Sequence, residues 1–226
     1  MCWAEDRKRA DRIQIQLYNV DAEEAKELHG LVIGAGMGVE LAQLMTDYEI
    51  KLWGTQLCSH SWLILKRFVP GFSERIYKLV GGLEILPVLQ ESGLRFTVIY
   101  ALRSVSNLRA EYNKESGRRV GLGADFLRPC SNLQPPGGLL IFDVFTKTME
   151  PILRKLWGTD EGQDLERCFF EDSFEIRKAL SETGYELLSY ATYSHAPLLE
   201  KYFQSSQVEF EEVPTHIICI ARKRED

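Results

Sequence analysis

The chain has 226 residues, 45% of them hydrophobic, which is enough to bury one large core and too few to support two full domains beside each other. A formal net charge of −6 and a pI near 5.4 disfavour an extended electrostatic grip on nucleic acid. Charges occupy positions 5–9, where a leader peptide would be apolar, and no run approaches the roughly 18 apolar residues of a membrane span, so a soluble cytoplasmic protein working on small molecules is expected. Its five cysteines (Cys2, Cys58, Cys130, Cys168, Cys219) are odd in number and form no C-x-x-C pair. That argues against a disulfide framework and against a structural metal.

In chain order, residues 1–28 form an N-terminal cap segment in which Ile13, Ile15 and Leu17 alternate as in a short strand. An apolar strand near 30–34 then runs into Gly34-Ala35-Gly36-Met37-Gly38 and a helical pattern, which is how a phosphate- or nucleotide-binding turn is built. Further strands are expected near 49–54, 76–81, 96–101, 138–144, 185–191 and 215–221, with helices in the gaps after the first five. Such alternation predicts crossover units on a mainly parallel sheet: one α/β domain spanning 1–226. The segment 106–132 is rich in Arg, Glu and Lys and broken by Gly117, Gly121 and Gly123, so it reads as a surface helix ending in a loop. Pro135-Pro136-Gly137-Gly138 is a turn feeding a buried strand, and 192–214 is an insertion or lid between the last two strands.

The glycine spacing discriminates between ligands. A dinucleotide fingerprint would place its third small residue at Val39, whereas the third glycine comes one step earlier, at Gly38. This G-x-G-x-G order resembles motif I of the class I S-adenosylmethionine-dependent methyltransferases, and the resemblance extends over roughly 31–222. Leu52-Trp53-Gly54-Thr55-Gln56-Leu57-Cys58-Ser59 occupies the slot of the family's G-x-D-x-S strand end, with Gln56 falling 22 residues after Gly34. Residues 78–87 look like the family's G-D-x-x-x-L-P stretch. Phe96–Ala101 looks like its fourth strand, and Gln134–Asp143 resembles its L-x-P-G-G lead-in to strand five, the most recognisable match. Gly184–Leu188 and Thr215–Ala221 look like its antiparallel sixth and seventh strands. The family's acidic positions are altered, to Val32 before the turn, Gln56 at the ribose and Gly82 near the adenine, where Glu84 could compensate.

The resemblance implies a three-layer sandwich with a seven-stranded, mainly parallel sheet whose last strand is antiparallel. It also implies bound S-adenosylmethionine, touched by Gly34, Ala35, Gly36 and Gly38 at the turn, Gln56 and Leu57 at the ribose, Leu83 and Glu84 at the adenine, and Tyr100 at the end of the fourth strand. Tyr18 would cover the cofactor from the N-terminal segment. Methyl transfer needs little beyond alignment of donor and acceptor, so no catalytic triad is expected. A general base would help if the acceptor carries a proton, and His195, in the insertion, is the candidate, with Tyr100 as the second catalytic candidate. His29 and His216 read as structural, and His60 as a helix cap or a ligand contact. Arg103 could bind a carboxylate or pair with surface acids. Trp157, Phe169, Phe170, Tyr202 and Phe203 could line an apolar acceptor pocket or belong to the core. The expected function is methyl transfer to a small, partly apolar molecule, with no nucleic-acid or membrane partner. The alternatives are a methyltransferase-fold protein that transfers no methyl group, such as a cyclase, isomerase or partner subunit, and then a nicotinamide-dependent oxidoreductase.

Overall fold

The structure, a computed structural model, describes residues 30–34, 52–56, 76–80, 83, 85–102, 104–105, 121–151, 169–170, 173–193 and 214–225. Strands β1 (Gly30–Val32), β2 (Leu52–Gln56), β3 (Ile76–Val80), β4 (Val98–Ala101), β5 (Leu139–Thr146), β6 (Phe169–Phe170), β7 (Tyr185–Tyr193) and β8 (His216–Lys223) join in one sheet. Their order is β3-β2-β1-β4-β5-β8-β7, with β6 paired to the end of β5. The helices are α1 (Ile85–Glu91), α2 (Arg128–Asn132) and α3 (Ser173–Glu182).

Several expectations need correction. Among the described residues the sheet has eight strands instead of seven, because Phe169 and Phe170 add a two-residue parallel strand beside Phe145 and Thr146. Only β8 is antiparallel to its neighbours β5 and β7, so the strand at 185–193 runs in the same direction as β1–β5 instead of opposing it. It also extends through Thr192 and Tyr193, which shortens the expected insertion at its start. The expected loop before β5 is helix. A π-helical turn at Leu122–Leu127 leads directly into α2, and Leu122, Phe126, Leu127 and Cys130 are buried. The wide turn has a local cause: Pro129 lacks an N–H and its ring crowds the carbonyl four residues back, so the chain is wound more loosely just ahead of it, with the Arg128 N–H reaching the Gly123 carbonyl. Asp125 closes the start of that turn by accepting the Gly121 N–H at 2.7 Å.

Strand alternation sorts the sheet into two faces. One face carries Leu31, Ile99, Leu140, Phe142, Cys219 and Ala221 into the core beneath the helices, with Phe126 against Phe142 at a centroid separation of 5.7 Å. Each such aromatic contributes about 1.5–3 kcal/mol through burial. The other face carries Val32, Tyr100, Ile141 and Asp143, as the parallel registers of β1, β4 and β5 require.

The Pro-Pro-Gly-Gly turn lies at the amino-terminal end of β5, and there its role is structural. Buried Gln134, just ahead of it, accepts the Tyr185 hydroxyl at 2.6 Å and donates to the Leu139 carbonyl at 2.8 Å. Gly137 N–H donates to the Lys223 carbonyl, and the Lys223 ammonium donates to the Ser131 and Gln134 carbonyls. The turn therefore pins α2, β5, β7 and β8 together at one edge of the sheet.

Candidate functional site

The chain builds β1, β2 and β3 outward in one direction and then returns to start β4 and β5 on the other side of β1. Doubly wound sheets open a crevice at the carboxyl ends of the strands where the order reverses, here between β1 and β4. Gly34 leaves β1 at that place, and Tyr100, Ser104 and Val105 lie at and just beyond the end of β4. The Ile33 N–H donates to the Tyr100 carbonyl at 2.7 Å, carrying the ladder past the last paired residues and bringing the glycine turn against the end of β4.

Gly34 has φ +67°, a left-handed conformation that costs an L side chain energy. A Cβ on it would lie 2.6 Å from the Ser104 Cβ, so the position excludes side chains both by backbone conformation and by space. Ser104 is 6% exposed, and among the described residues its hydroxyl is the buried side-chain polar atom without a hydrogen-bond partner. That oxygen lies 3.4 Å from where the Gly34 Cβ would be. A turn residue that only glycine can supply at the switch point, with an unpartnered hydroxyl beside it, is compatible with a polar ligand near the backbone, such as the amino-acid end of an S-adenosylmethionine-type cofactor.

Gln56 ends β2 two residues beyond Gly54, the partner of Val32, and so stands level with Gly34 at the same edge. Tyr100 is half-buried and pairs with Val32 and Ile141, putting it on the face of the crevice opposite the main core. Leu83 is in the core cluster, ahead of α1. Phe170 is also buried there, and Phe169 is its neighbour in β6. Tyr18, His29, Ala35, Gly36, Gly38, Leu57, His60, Gly82, Glu84, Arg103, Trp157, His195, Tyr202 and Phe203 lie outside the described residues.

A second cluster follows along the same edge. Asp143, 1% exposed in β5, accepts a short hydrogen bond from the Tyr193 hydroxyl, which reaches it across β8. His216 is buried between Tyr193, on which it stacks with an interplanar angle of 10°, and Phe145, tilted at 55°, each 4.8 Å away between centroids. Its Nδ1 is 2.7 Å from the Thr215 hydroxyl, which donates to the Tyr193 carbonyl at 3.2 Å. Thr148 holds the Pro214 carbonyl at 2.7 Å and so fixes where the chain re-enters the sheet. By register, Asp143 sits on the same face as Tyr100 and one strand over, at the level just beyond it.

Sequence reading passed over Ser104, Asp143 and Tyr193. One signal was present: Asp143 is a single acid in an apolar run, on the parity of Ile141 and Phe145, and a fully buried carboxylate needs a partner. The nearby Cys219 thiol, across from Phe142, is pushed up to about 12, first by burial and then by the Asp143 charge, with Arg177 opposing. Cys219 is therefore inert packing at neutral pH, not a nucleophile. Among the described residues no group of three His, Cys, Asp or Glu could hold a metal, and no helix is long and apolar enough to cross a membrane.

No protein-family model and no curated protein matches the sequence. Solved structures do match. The N-methyltransferase NodS from Bradyrhizobium japonicum WM9 is 13% identical, with 97% of each chain covered and a TM-score of 0.55. The cyclopropane synthase MmaA2 from Mycobacterium tuberculosis is 14% identical over 97% of this chain and 83% of its own, with a TM-score of 0.56. The cyclase SpnF is 16% identical over 99% of this chain and 81% of its own, with a TM-score of 0.59. The chain thus has the Rossmann-like fold of the class I S-adenosylmethionine-dependent methyltransferases.

Proposed function

We propose that the protein is an S-adenosylmethionine-dependent methyltransferase acting on a small, partly apolar acceptor. The observation that carries this is the turn at the switch point: a left-handed Gly34 pressed against the buried, unpartnered Ser104 hydroxyl, on a sheet of methyltransferase type. The cofactor would supply an activated methyl group with its own leaving group, so the chain's task is binding, orientation and exclusion of water. Gly34 and Ser104, with Ala35, Gly36 and Gly38, would hold its amino-acid end, Gln56 and Leu57 its ribose, and Leu83 and Glu84 its adenine. Gln56 offers the hydroxyls an amide that accepts and donates without adding charge.

Tyr100, Asp143, Tyr193 and His216 lie on the acceptor side of that site. The Tyr193 hydroxyl donates its hydrogen bond to Asp143, so toward a substrate its oxygen would act as an acceptor, suited to orienting an N–H or O–H. His195 follows Tyr193 by two residues in the chain, and it remains the base to test first.

A second reading, a fold retained for a different reaction, is favoured by the likeness to the cyclase SpnF and by the altered acids at Val32, Gln56 and Gly82. Isothermal titration with S-adenosylmethionine, S-adenosylhomocysteine and NADH in parallel tests the proposal. Micromolar binding of the two adenosyl ligands, no heat from NADH and loss of binding in Gly36→Val are expected. Silence from the adenosyl ligands refutes the cofactor assignment, and NADH binding alone points to an oxidoreductase. Binding without methyl transfer to any acceptor supports the second reading.

A further inference from the structure

Three ring-bearing residues stand level across the carboxyl-terminal edge of the sheet: Phe145 of β5 pairs with His216 of β8, and His216 with Tyr193 of β7. Directly paired residues point to the same face, so the rings form a row on the face that also carries Asp143. Tyr193 is two strands away from Asp143, about 9.5 Å at the usual strand spacing, so its hydroxyl meets that carboxylate only if the side chain leans across β8. The His216 ring lies where it leans, within 10° of parallel and 4.8 Å away between centroids. Phe145 backs His216 from the other side at 4.8 Å. Thr215 holds both residues: its hydroxyl is 2.7 Å from His216 Nδ1, and its N–H donates to the Tyr193 carbonyl at 2.9 Å. The Thr146 N–H donates in turn to the Thr215 carbonyl at 3.0 Å, which anchors the row on β5. A tyrosine side chain has several staggered orientations, and the histidine ring is the surface against which this one is taken.

We infer that His216 is a positioning residue that acts through Tyr193: its ring face holds the tyrosine in the orientation from which the hydroxyl donates to Asp143 and its oxygen is left to the acceptor side. This rests on the methyl-transfer reading proposed above and adds the residue that sets where the acceptor's N–H or O–H is met. Methyl transfer gains its rate from alignment, and a hydrogen-bonding group that swings aligns nothing. Packing against rigid strands supplies the missing constraint. A residue that merely fills space at 216 needs only volume, whereas a positioning residue needs a ring face, and the two are separable.

The test uses the full chain. Tyr193→Phe leaves the buried Asp143 carboxylate without this donor and should lower the urea midpoint of the wild type. It should lower the midpoint equally in His216→Phe, which keeps a ring face, and by less than half as much in His216→Leu, which keeps apolar volume without one. If His216→Leu does not fold, His216→Met carries the same comparison. An equal drop in all three backgrounds makes His216 a space-filling residue and overturns the inference, as does a drop that shrinks as much in His216→Phe as in His216→Leu. Rates of transfer from S-adenosylmethionine to a panel of small apolar amines and phenols, led by benzylamine and catechol, give the second readout. His216→Leu should raise KM as much as Tyr193→Phe does, with no further rise in the double variant and S-adenosylhomocysteine affinity unchanged, and His216→Phe should stay within twofold of wild type. Additive rises overturn the inference and leave the methyltransferase assignment standing. A wild type that binds S-adenosylhomocysteine yet methylates no member of the panel overturns the reading on which the inference rests, while the urea comparison still decides whether the ring sets Tyr193.

Discussion

Gly34→Ala isolates two separable penalties at one position. Holding an alanine at φ +67° costs about 1–2 kcal/mol. Its Cβ would also meet the Ser104 Cβ at 2.6 Å, and that neighbour is the fixed stem of a side chain, so the turn or the end of β4 must move. Overpacking of this kind costs about 1–3 kcal/mol. The sum, about 2–5 kcal/mol, is a large share of the 5–15 kcal/mol that usually holds a domain together. Urea denaturation of wild type, Gly34→Ala, Ser104→Gly and the double variant closes a mutant cycle. Glycine at 104 removes the opposing Cβ, so the double variant should recover about 1–3 kcal/mol of coupling and leave the conformational part unrecovered. Ser104→Ala in the same background should recover nothing, because it keeps the atom responsible. A Gly34→Ala variant within 0.5 kcal/mol of wild type, or a cycle with no coupling, would refute the account of the turn.

Tyr185→Phe should destabilise by about 1–3 kcal/mol in urea, because it leaves buried Gln134 Oε1 without the hydroxyl that now reaches it at 2.6 Å, while ligand affinities stay unchanged. Burial raises the thiols of Cys130 and Cys219, the latter from 9.0 to about 12, so the folded chain keeps protons that the unfolded chain releases above pH 9. Their contribution is fully present below pH 9 and is lost as pH rises toward about 12, at up to about 1.4 kcal/mol per pH unit for each thiol. The urea midpoint of wild type should therefore fall faster than that of Cys219→Ala between pH 9 and 10.5, and parallel curves would contradict this. Tyr193→Phe should raise KM for an N–H or O–H acceptor several-fold with S-adenosylhomocysteine affinity unchanged, whereas His195→Ala should lower kcat. A loss of cofactor affinity in either would move that residue out of the acceptor side.

The strands were legible because each is a short apolar run bounded by turn residues, and the crossover pattern leaves few ways to arrange them. The two-residue strand at Phe169 and Phe170 was not, since two aromatics carry no periodicity and pair only because β5 extends to Thr146. The helix at 122–132 was hidden by Gly121, Gly123 and Pro129, three breakers that a π-helical turn accommodates once Phe126 and Leu127 have a core to enter. The places of Gly34 and Tyr100 at the ends of β1 and β4 were readable from motif and strand end, but what joins them was not. Ser104 becomes significant only through its distance to Gly34, and Tyr193 only through a hydrogen bond spanning 50 residues. Contacts of that kind leave no local pattern.

The two ends of the sheet carry different kinds of contact. At the amino-terminal edge, Tyr185, Gln134, Lys223 and the glycine turn before β5 form a closed network of donors and acceptors, and the longest motif resemblance, around Pro135-Pro136-Gly137-Gly138, belongs there. That motif therefore marks a structural clamp on the sheet and says nothing about which atoms a ligand would meet. The carboxyl-terminal edge carries the unpartnered buried hydroxyl of Ser104 and, in Asp143, a carboxylate 1% exposed that the Tyr193 hydroxyl satisfies. Of the altered acid positions, Val32 and Gln56 both lie at the carboxyl-terminal edge, where the proposed cofactor would bind. Without those charges, more of the grip on a cofactor would fall to uncharged groups such as Ser104 and Gln56. Binding would then depend less on salt than carboxylate-mediated recognition does, so titrating S-adenosylhomocysteine at low and high ionic strength separates the two modes.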